Sequence, residues 1–456
     1  VCSSDLGIRI AQPDTGITNH PEFEVGAISA DQYSVFTGQN DATDPLQAGN
    51  KGHGTGTGSV VVSRSDNMMT GSAPGAELLP IRCIESVIIK FNAGPVAEAI
   101  NYARENDCHI VTMSLGGTPS RAVKKAIKKA IKANLIVLAA AGNCVRIVVW
   151  PARYEQVIAV AGSNADDDVW MGSSRGGDVD ITAPGENVWK AVTDPDTGNT
   201  DVKGGQGTSF ATALTAGVAA LWLARWGRDN LIAEAQAKNT SVQELFRDAV
   251  TATARQPHGW DTNDFGAGIV DAEALLNHPI GNLNPHPAHG AHIESARLAR
   301  EVVGDDVANR IDTQAPQFDL EISALLLEDA RRGIDPGADL GIESATHRLP
   351  ASARLKAALG ADLEALGNRP DVAATPSVSL PTTAVSQPDP AVLIAPTAAG
   401  QLESATPVSA HTAREAIAGD IDERVARLTE VVGPEHPELI ASSRAVLDLV
   451  ARGEEL

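Results

Sequence analysis

Short runs of apolar residues recur along the first part of the chain, separated by polar and glycine-containing segments. Runs of this length are typical of strands that are buried on both faces of a parallel sheet. They lie at 8–10, 78–81, 110–115, 135–141 and 157–160. Two longer segments, 95–106 and 119–133, show helical spacing and open with proline, which the first turn of a helix tolerates. This alternation predicts an α/β fold, with helices on both faces of a mostly parallel sheet.

The second predicted helix separates lysines from apolar residues around its axis. Lys124, Lys125, Lys128, Lys129 and Lys132 form one face, and Ala126, Ile127, Ala130 and Ile131 form the other. The whole chain carries 58 Asp and Glu against 36 Lys and Arg, a formal net charge of −22. Such an excess of acid disfavours binding to nucleic acid or to an anionic membrane. The lysines are therefore predicted to form a solvated outer face.

Length and composition predict one large domain with appendages, because 456 residues exceed one ordinary core. Residues 7–279 carry the alternating pattern and are predicted to be that domain. Composition then divides the rest into a linker at 280–292, a helical segment at 293–367, a Pro/Thr/Ala-rich disordered linker at 368–410 and a helical tail at 411–456. No apolar run approaches the length that a bilayer-spanning helix needs, so no membrane span is predicted.

The start of the chain, Val-Cys-Ser-Ser-Asp-Leu, corresponds to the translation of a sequencing adapter. We therefore expect residues 1–6 to be a sequencing artefact that is foreign to the natural protein. The absence of an initiating Met agrees with this expectation. A signal peptide or propeptide would then be missing from the sequence.

Three cysteines remain beyond that start, at Cys83, Cys108 and Cys144, and each lies beside an apolar run. An odd number is a poor framework for disulfides. Small buried residues are favoured over a single bridge or a reactive thiol. Cys144 is expected to lie nearest a substrate, because it follows the candidate site residue Asn143.

Three polar residues, each set beside glycine, carry the candidate chemistry. They are Asp14 in Gln-Pro-Asp-Thr-Gly, His53 in Gly-His-Gly-Thr-Gly and Ser209 in Gly-Thr-Ser-Phe-Ala. A nucleophilic hydroxyl needs a base to take its proton and a carboxylate to hold that base in the right tautomer. Ser209, His53 and Asp14 are therefore predicted to be nucleophile, base and orienting acid.

Taken singly, these motifs have other interpretations. Asp-Thr-Gly also marks aspartic proteases, which use two carboxylates, and a second copy stands at 196–198. No apolar strand leads into that copy, so it is predicted to be a loop. The serine motif is one residue away from the nucleophile turn of α/β-hydrolases, but those enzymes run Ser, acid, His along the chain. The order Asp, His, Ser argues against them.

With a further motif at 139–143, Ala-Ala-Ala-Gly-Asn, the chain resembles the subtilisin-like serine proteases, whose triad has the same order. The resemblance covers about residues 7–279. It implies their three-layer fold, a helix that begins at His53, and an oxyanion site formed by the Asn143 side chain and the Ser209 amide. It also implies that two segments wall the primary specificity pocket: Ser114, Leu115 and Gly116, and Ala139, Ala140, Ala141 and Gly142. Their small residues predict an open, apolar slot.

The chain departs from the family pattern near this site, although no reacting group is lost. Phe210 replaces a common Met after the nucleophile, and Ala213 stands where the family usually has Pro. Residues 88–91, Ile-Ile-Lys-Phe, replace a polar, glycine-rich edge that pairs with the substrate backbone in the family. The preference for extended substrates is therefore left open.

The resemblance implies a serine endopeptidase that acts on polypeptides, with no required cofactor and no catalytic metal. The family's calcium-binding loop is not recovered, so structural calcium is left open. Family members are mostly exported, which implies a secreted or periplasmic protein, while three unpaired cysteines leave a cytoplasmic one open. Two further functions fit the same residues: a catalytically silent scaffold that presents the acidic tail to a partner, and a peptide ligase or cyclase.

Overall fold

The computed structural model describes residues 6–285, apart from residue 25 and residues 65–67, 90–91 and 145–146. Its strands are β1 (Arg9–Asp14), β2 (Tyr33–Ser34), β3 (Glu77–Arg82), β4 (Ile88–Ile89), β5 (Ile110–Met113), β6 (Gly116–Gly117), β7 (Ile136–Ala140), β8 (Ile158–Ser163), β9 (Ile181–Pro184), β10 (Val188–Thr193) and β11 (Thr200–Gly205). Its α-helices are α1 (His53–Val62), α2 (Gly94–Glu105), α3 (Arg121–Lys132), α4 (Thr208–Trp226), α5 (Arg228–Ala237), α6 (Val242–Ala252), α7 (Thr262–Phe265) and α8 (Ala272–Asn277). The predicted segments 293–367, 368–410 and 411–456 lie outside the described residues, as do residues 1–5 and most of the 280–292 linker.

A parallel sheet forms the centre of the domain. Within the described residues it has the strand order β2-β3-β1-β5-β7-β8-β9, and every neighbouring pair in it is parallel. β1 lies between β3 and β5, with Ile10 opposite both Leu78 and Ile110. All five predicted strands belong to this sheet. The predicted α/β class with a mostly parallel sheet is confirmed.

Each face of the sheet packs against a different set of helices, as alternating side chains require. In β7, Ile136 and Leu138 belong to the core beneath α1 and α4, whereas Val137 and Ala139 belong to the core beneath α2 and α3. Because both faces are covered, the strands are apolar throughout rather than alternating, which is why they appear in the sequence as continuous runs. The result is a three-layer fold.

The basic helix α3 lies in the outer layer, as its pattern predicts. Val123, Ala126, Ile127 and Ala130 are buried, while the lysines of the opposite face are exposed or half-buried. The prediction that both helices open with proline holds only for α2, where Pro95 lies in the first turn. α3 begins after Ser120, whose hydroxyl accepts a hydrogen bond from Val123 N and so caps the helix.

A hairpin of β10 and β11 stands apart from the sheet and was not predicted. The second Asp-Thr-Gly lies in the turn of this hairpin, where Asp194 accepts hydrogen bonds from the backbone amides of Asp196 and Thr197. That copy is therefore a loop, as predicted. Of the helices in the described part of the chain, none is long and apolar enough to cross a membrane.

Candidate active site

The three candidate catalytic residues meet at the carboxyl edge of the sheet, where α/β proteins build their sites. Asp14 is the last residue of β1, His53 is the first residue of α1, and Ser209 lies in the first turn of α4. α1 and α4 pack against each other on one face of the sheet. The fold thus brings together residues that are far apart in sequence, and the helix predicted to begin at His53 does begin there.

A continuous hydrogen-bonded chain links the three side chains. His53 Nδ1 lies 2.8 Å from Asp14 Oδ1, and His53 Nε2 lies 3.3 Å from Ser209 Oγ. A carboxylate can only accept, so the imidazole carries its proton on Nδ1 and leaves Nε2 free to take the serine proton. Asp14 is 1% exposed and Ser209 is 7% exposed. Burial strengthens the electrostatic interactions along this chain of hydrogen bonds. The small exposed fraction of Ser209 leaves the serine within reach of solvent.

Gly54 explains why glycine follows the histidine. A Cβ atom built on Gly54 would lie 2.1 Å from the carbonyl oxygen of Gly16 and 3.3 Å from Asp14 Cβ. Any larger residue would push α1 away from the end of β1. The glycine-rich frame was expected to let backbone and substrate approach the ring. At Gly54 the group that comes close is the backbone carbonyl of Gly16, just beyond Asp14. This close contact between α1 and the end of β1 sets the distance between Asp14 and His53.

Asn143 lies beside the nucleophile, and its amide orientation is fixed. Its Oδ1 accepts hydrogen bonds from Thr208 N at 2.9 Å and Thr208 Oγ1 at 2.8 Å. Because Thr208 N can only donate, the oxygen must face Thr208, and Nδ2 is left to donate elsewhere. A Cβ atom built on Gly207 would lie 3.2 Å from this Nδ2. The backbone amide of Ser209 lies in the first turn of α4, where amides have no acceptor within the helix. It can therefore donate to another group, as the Asn143 side chain can.

Thr208 is a site residue that the sequence analysis missed. Its hydroxyl donates to Asn143 and accepts a hydrogen bond from Gly142 N at 3.2 Å. It therefore ties the Ala-Ala-Gly-Asn segment to the start of α4. Its position between Gly207 and Ser209 was the available signal, since a hydroxyl at a helix start can bond to nearby backbone.

The two segments predicted to wall the specificity pocket both lie against a third segment, at Val149, that the prediction did not include. Ser114 Oγ donates to Ser209 O at 2.9 Å, which fixes the 114–116 segment next to the nucleophile. A Cβ atom built on Gly116 would lie 2.4 Å from Val149 Cγ2, and one built on Gly142 would lie 3.0 Å from the same methyl. Val149 N also donates to Ala141 O at 2.9 Å. The side chain of Val149 therefore occupies the space between the walls.

Four other residues of the predicted walls lie in the interior of the domain. Leu115, Ala139, Ala140 and Ala141 are all buried. β4, the edge formed by Ile88 and Ile89, pairs with β6 directly. Lys90 and Phe91 lie outside the described residues. The backbone groups of β4 that face β6 are thus used within the domain.

The three cysteines of the domain are free thiols, as the favoured interpretation expects. Cys83 and Cys108 are buried, and Cys144 is half-buried. Burial raises the pKa of Cys108 to about 12 and raises that of Cys83 well above its usual value, while the pKa of Cys144 is also raised by burial. Since the thiolate is the nucleophilic form, none of the three is poised to react.

Alkylation should follow this order of burial. In the folded protein at pH 8, iodoacetamide is expected to modify Cys144 slowly and to leave Cys83 and Cys108 unmodified, because their thiolates are scarce and inaccessible. Peptide mass spectrometry over a time course measures each site, with the guanidinium-unfolded chain as the control in which all three react. Rapid modification of Cys83 in the folded protein would contradict the account.

Among the residues that the structure describes, no three His, Cys, Asp or Glu side chains cluster in a way that could hold a metal ion. The site chemistry described above uses hydroxyl, imidazole, carboxylate and amide groups. The absence of a cofactor requirement remains a prediction, and structural calcium remains open.

The sequence pattern that defines the Subtilase family matches residues 5–268. This match spans more than half of the chain and includes all three candidate catalytic residues. The chain belongs to the Subtilase family.

Individual proteins and solved structures are also similar to the chain. The chain is 34% identical over 226 residues to the thermostable alkaline protease of Halalkalibacterium halodurans, which covers 48% of this chain and 58% of that protein. It is 28% identical over 274 residues to subtilisin Savinase of Lederbergia lenta, covering 59% and 90% of the two chains. Among solved structures, fervidolysin from Fervidobacterium pennivorans is similar at 25% identity with a TM-score of 0.49, over 61% of this chain and 43% of that one. The chain thus spans less than two thirds of the alkaline protease.

Proposed function

We propose that this protein is a serine endopeptidase that hydrolyses polypeptides through an acyl-enzyme. Ser209 Oγ attacks the scissile carbonyl while His53 Nε2 takes its proton, and His53 then gives that proton to the leaving amine. Asp14 holds the imidazole tautomer and stabilises the imidazolium. Asn143 Nδ2 and the Ser209 amide donate to the oxyanion. Water enters last and releases the acyl group.

The observation that carries this proposal is the hydrogen-bonded chain from Asp14 through His53 to Ser209. Its distances of 2.8 Å and 3.3 Å lie within the range of a catalytic triad without substrate, where the serine contact is often loose. The orientation of Asn143 adds a donor at the serine, where the negative charge would develop. A silent scaffold would not need either arrangement.

Val149 indicates which substrates this site accepts. Its side chain lies against Gly116 and Gly142, which belong to the segments that we expect to hold the side chain of the residue before the scissile bond. Only a small side chain, such as that of Ala or Gly, fits beside it without repacking a buried segment. We therefore infer a preference for small residues at that position.

Val149→Gly should open the slot and change this preference. The comparison uses two peptides that differ only in having Ala or Phe before the scissile bond. In the variant, kcat/KM for the Phe peptide relative to the Ala peptide is expected to rise by at least about tenfold, which is the scale of steric discrimination in apolar pockets. Val148→Ala, a neighbouring buried change, should leave the ratio unaltered. An unchanged ratio in a folded Val149→Gly variant would refute this pocket assignment.

Hydrolysis is tested with the full chain and an Ala-rich peptide in H₂¹⁸O, with mass spectrometry of the products. The proposal predicts one ¹⁸O in each new carboxyl group. Products joined to an added amine, without ¹⁸O, would identify a ligase that uses the same acyl-enzyme. No product from a folded protein, with a range of small-residue peptides, would favour the silent scaffold. Export to the periplasm or the medium remains a prediction, which fractionation of the producing cell tests.

A further inference from the structure

The carboxylate of Asp14 has two oxygens with different surroundings. Oδ1 accepts hydrogen bonds from His53 Nδ1 at 2.8 Å and from Thr15 N at 2.7 Å. For Oδ2, the hydrogen bond found among the described residues comes from Thr57 Oγ1 at 3.2 Å. Asp14 is buried, so the loss of the Thr57 hydroxyl would leave Oδ2 without a partner in a region that water scarcely reaches.

The Thr57 hydroxyl is set to donate to Asp14 rather than elsewhere. It receives a hydrogen bond from Gln12 Nε2 at 2.6 Å, so its own proton points to one of three nearby acceptors. These are Asp14 Oδ2 at 3.2 Å, His53 O at 3.1 Å and Gly54 O at 3.4 Å. The two carbonyls have other donors, because Gln12 Nε2 bonds to Gly54 O at 2.9 Å and α-helical geometry supplies a backbone amide to His53 O. The carboxylate is the charged acceptor and forms the stronger bond.

The amide of Gln12 cannot be turned around. The Gly54 carbonyl can only accept, so the nitrogen must face it, and the same nitrogen faces Thr57. Gln12 Oε1 is then buried with no hydrogen-bond partner in the described residues. Buried acceptors without a hydrogen-bond donor are uncommon in folded proteins. The presence of Gln12 at this position therefore needs an explanation other than packing.

The position of Gln12 in the fold is one where an apolar residue is expected. Ile8, just before β1, and Ile10 within it face the core beneath α1 and α4, and Gln12 and Asp14 continue the same face towards α1. The helix makes room for the glutamine with a glycine: a Cβ atom built on Gly58 would lie 3.0 Å from Gln12 Oε1. A buried polar side chain has been fitted between β1 and the histidine helix.

We propose that Gln12 and Thr57 form a positioning pair for the catalytic acid, an inference that rests on the proposed function. Gln12 orients the Thr57 hydroxyl, and Thr57 holds Asp14 Oδ2 while Thr15 N holds Oδ1. The plane of the carboxylate is fixed at both oxygens, which keeps Oδ1 in line with His53 Nδ1 as the imidazole gains its proton. Neither residue touches the substrate, so both act through Asp14.

Thr57→Val keeps the shape of the side chain and removes the hydroxyl, so it is the main test. Reaction of the full chain with a fluorophosphonate probe is expected to show a maximal labelling rate lowered by about tenfold, less than the loss that a 1 Å misplacement causes. The probe concentration at half-maximal rate should stay unchanged, because the binding surface is intact. Thr57→Ser should restore the rate. Thr215→Val, another buried helical threonine that bonds to Ala211 O, should behave as wild type.

A second measurement does not depend on activity. The proton on His53 Nδ1, shared with Asp14, gives a proton NMR signal downfield of the amides, which His53→Ala identifies. The signal is expected to move or broaden in Thr57→Val and to return in Thr57→Ser. Gln12→Met should cause a smaller change of the same kind. This variant replaces Thr57→Val as the test if Thr57→Val does not fold. An unchanged signal in a folded Thr57→Val overturns the positioning pair, whereas a wild-type protein that the probe fails to label overturns the proposed function instead.

Discussion

Ser209→Ala is expected to lower the turnover of peptide substrates by about a millionfold, the loss known for subtilisin itself when its nucleophile is removed. The reason is that, among the described residues, the Ser209 hydroxyl is the one that bonds to His53 Nε2, at 3.3 Å, and so is placed to form the acyl-enzyme. Residual hydrolysis would come from the Asn143 side-chain amide and the backbone amide of residue 209, which still polarise the carbonyl. Progress curves with a fluorogenic peptide measure the loss, and KM should change little.

A matched control separates chemistry from folding. Ser29 is buried like Ser209, and its hydroxyl accepts a hydrogen bond from Asp31 N within its own turn, so Ser29→Ala should retain turnover within a few-fold. Both variants should melt close to wild type. Turnover of Ser209→Ala near the wild-type rate would end the triad assignment, because the nucleophile would have to be another group.

Asp14→Asn is the second large expected effect, a loss of about 10⁴ in kcat, by analogy with the same change in trypsin. The amide that replaces the carboxylate can donate to Nδ1, which stabilises the tautomer with its proton on Nε2. His53 then presents a proton to Ser209 instead of a lone pair. The NH2 group then stands in the place of Oδ1 and cannot accept from Thr15 N, while the amide oxygen in the place of Oδ2 still accepts from Thr57 Oγ1.

The control for this change is Asp271→Asn, which removes a carboxylate from the cap of α8, far along the chain from the triad. It should leave both stability and kcat nearly unchanged, because Asn caps the start of a helix about as well as Asp. Steady-state kinetics on both variants makes the comparison. A fall of less than tenfold in Asp14→Asn would show that Asp14 does not set the state of His53.

The parts of the fold that were predictable are those in which sequence and burial coincide. β5 and β7 are covered by helices on both faces, so their residues form apolar runs that stand out from the polar segments around them. The meeting of the three candidate residues was predictable because three residue types, their order and their glycine neighbours agree. Asp14, His53 and Ser209 would each have been ambiguous alone.

The hairpin of β10 and β11 left no such signal. In β11 only Val202 is buried, and the rest of the strand is polar or glycine. Its stability comes from backbone pairing with β10 and from the contact of β10 with α1. Contacts between elements that are distant along the chain override local preference, and a single sequence does not display them.

The position of Val149 against the predicted pocket walls left no sequence signal, for a related reason. The wall residues between 114 and 116 and between 139 and 142 are small, and the interpretation of an open slot followed from them alone. Val149 comes from a third segment that folds back between the walls. For Gln12 a signal existed: a polar residue stood at a core-facing position of a buried strand, two residues before Asp14.

The central claim is that Ser209 is an activated nucleophile. The most direct measurement is reaction of the full chain with a fluorophosphonate probe, followed by peptide mass spectrometry to locate the label. The account predicts covalent label on Ser209, which is lost in Ser209→Ala and strongly reduced in His53→Ala. Absence of label on a protein whose melting transition shows it to be folded, or label on a residue other than Ser209, would contradict it.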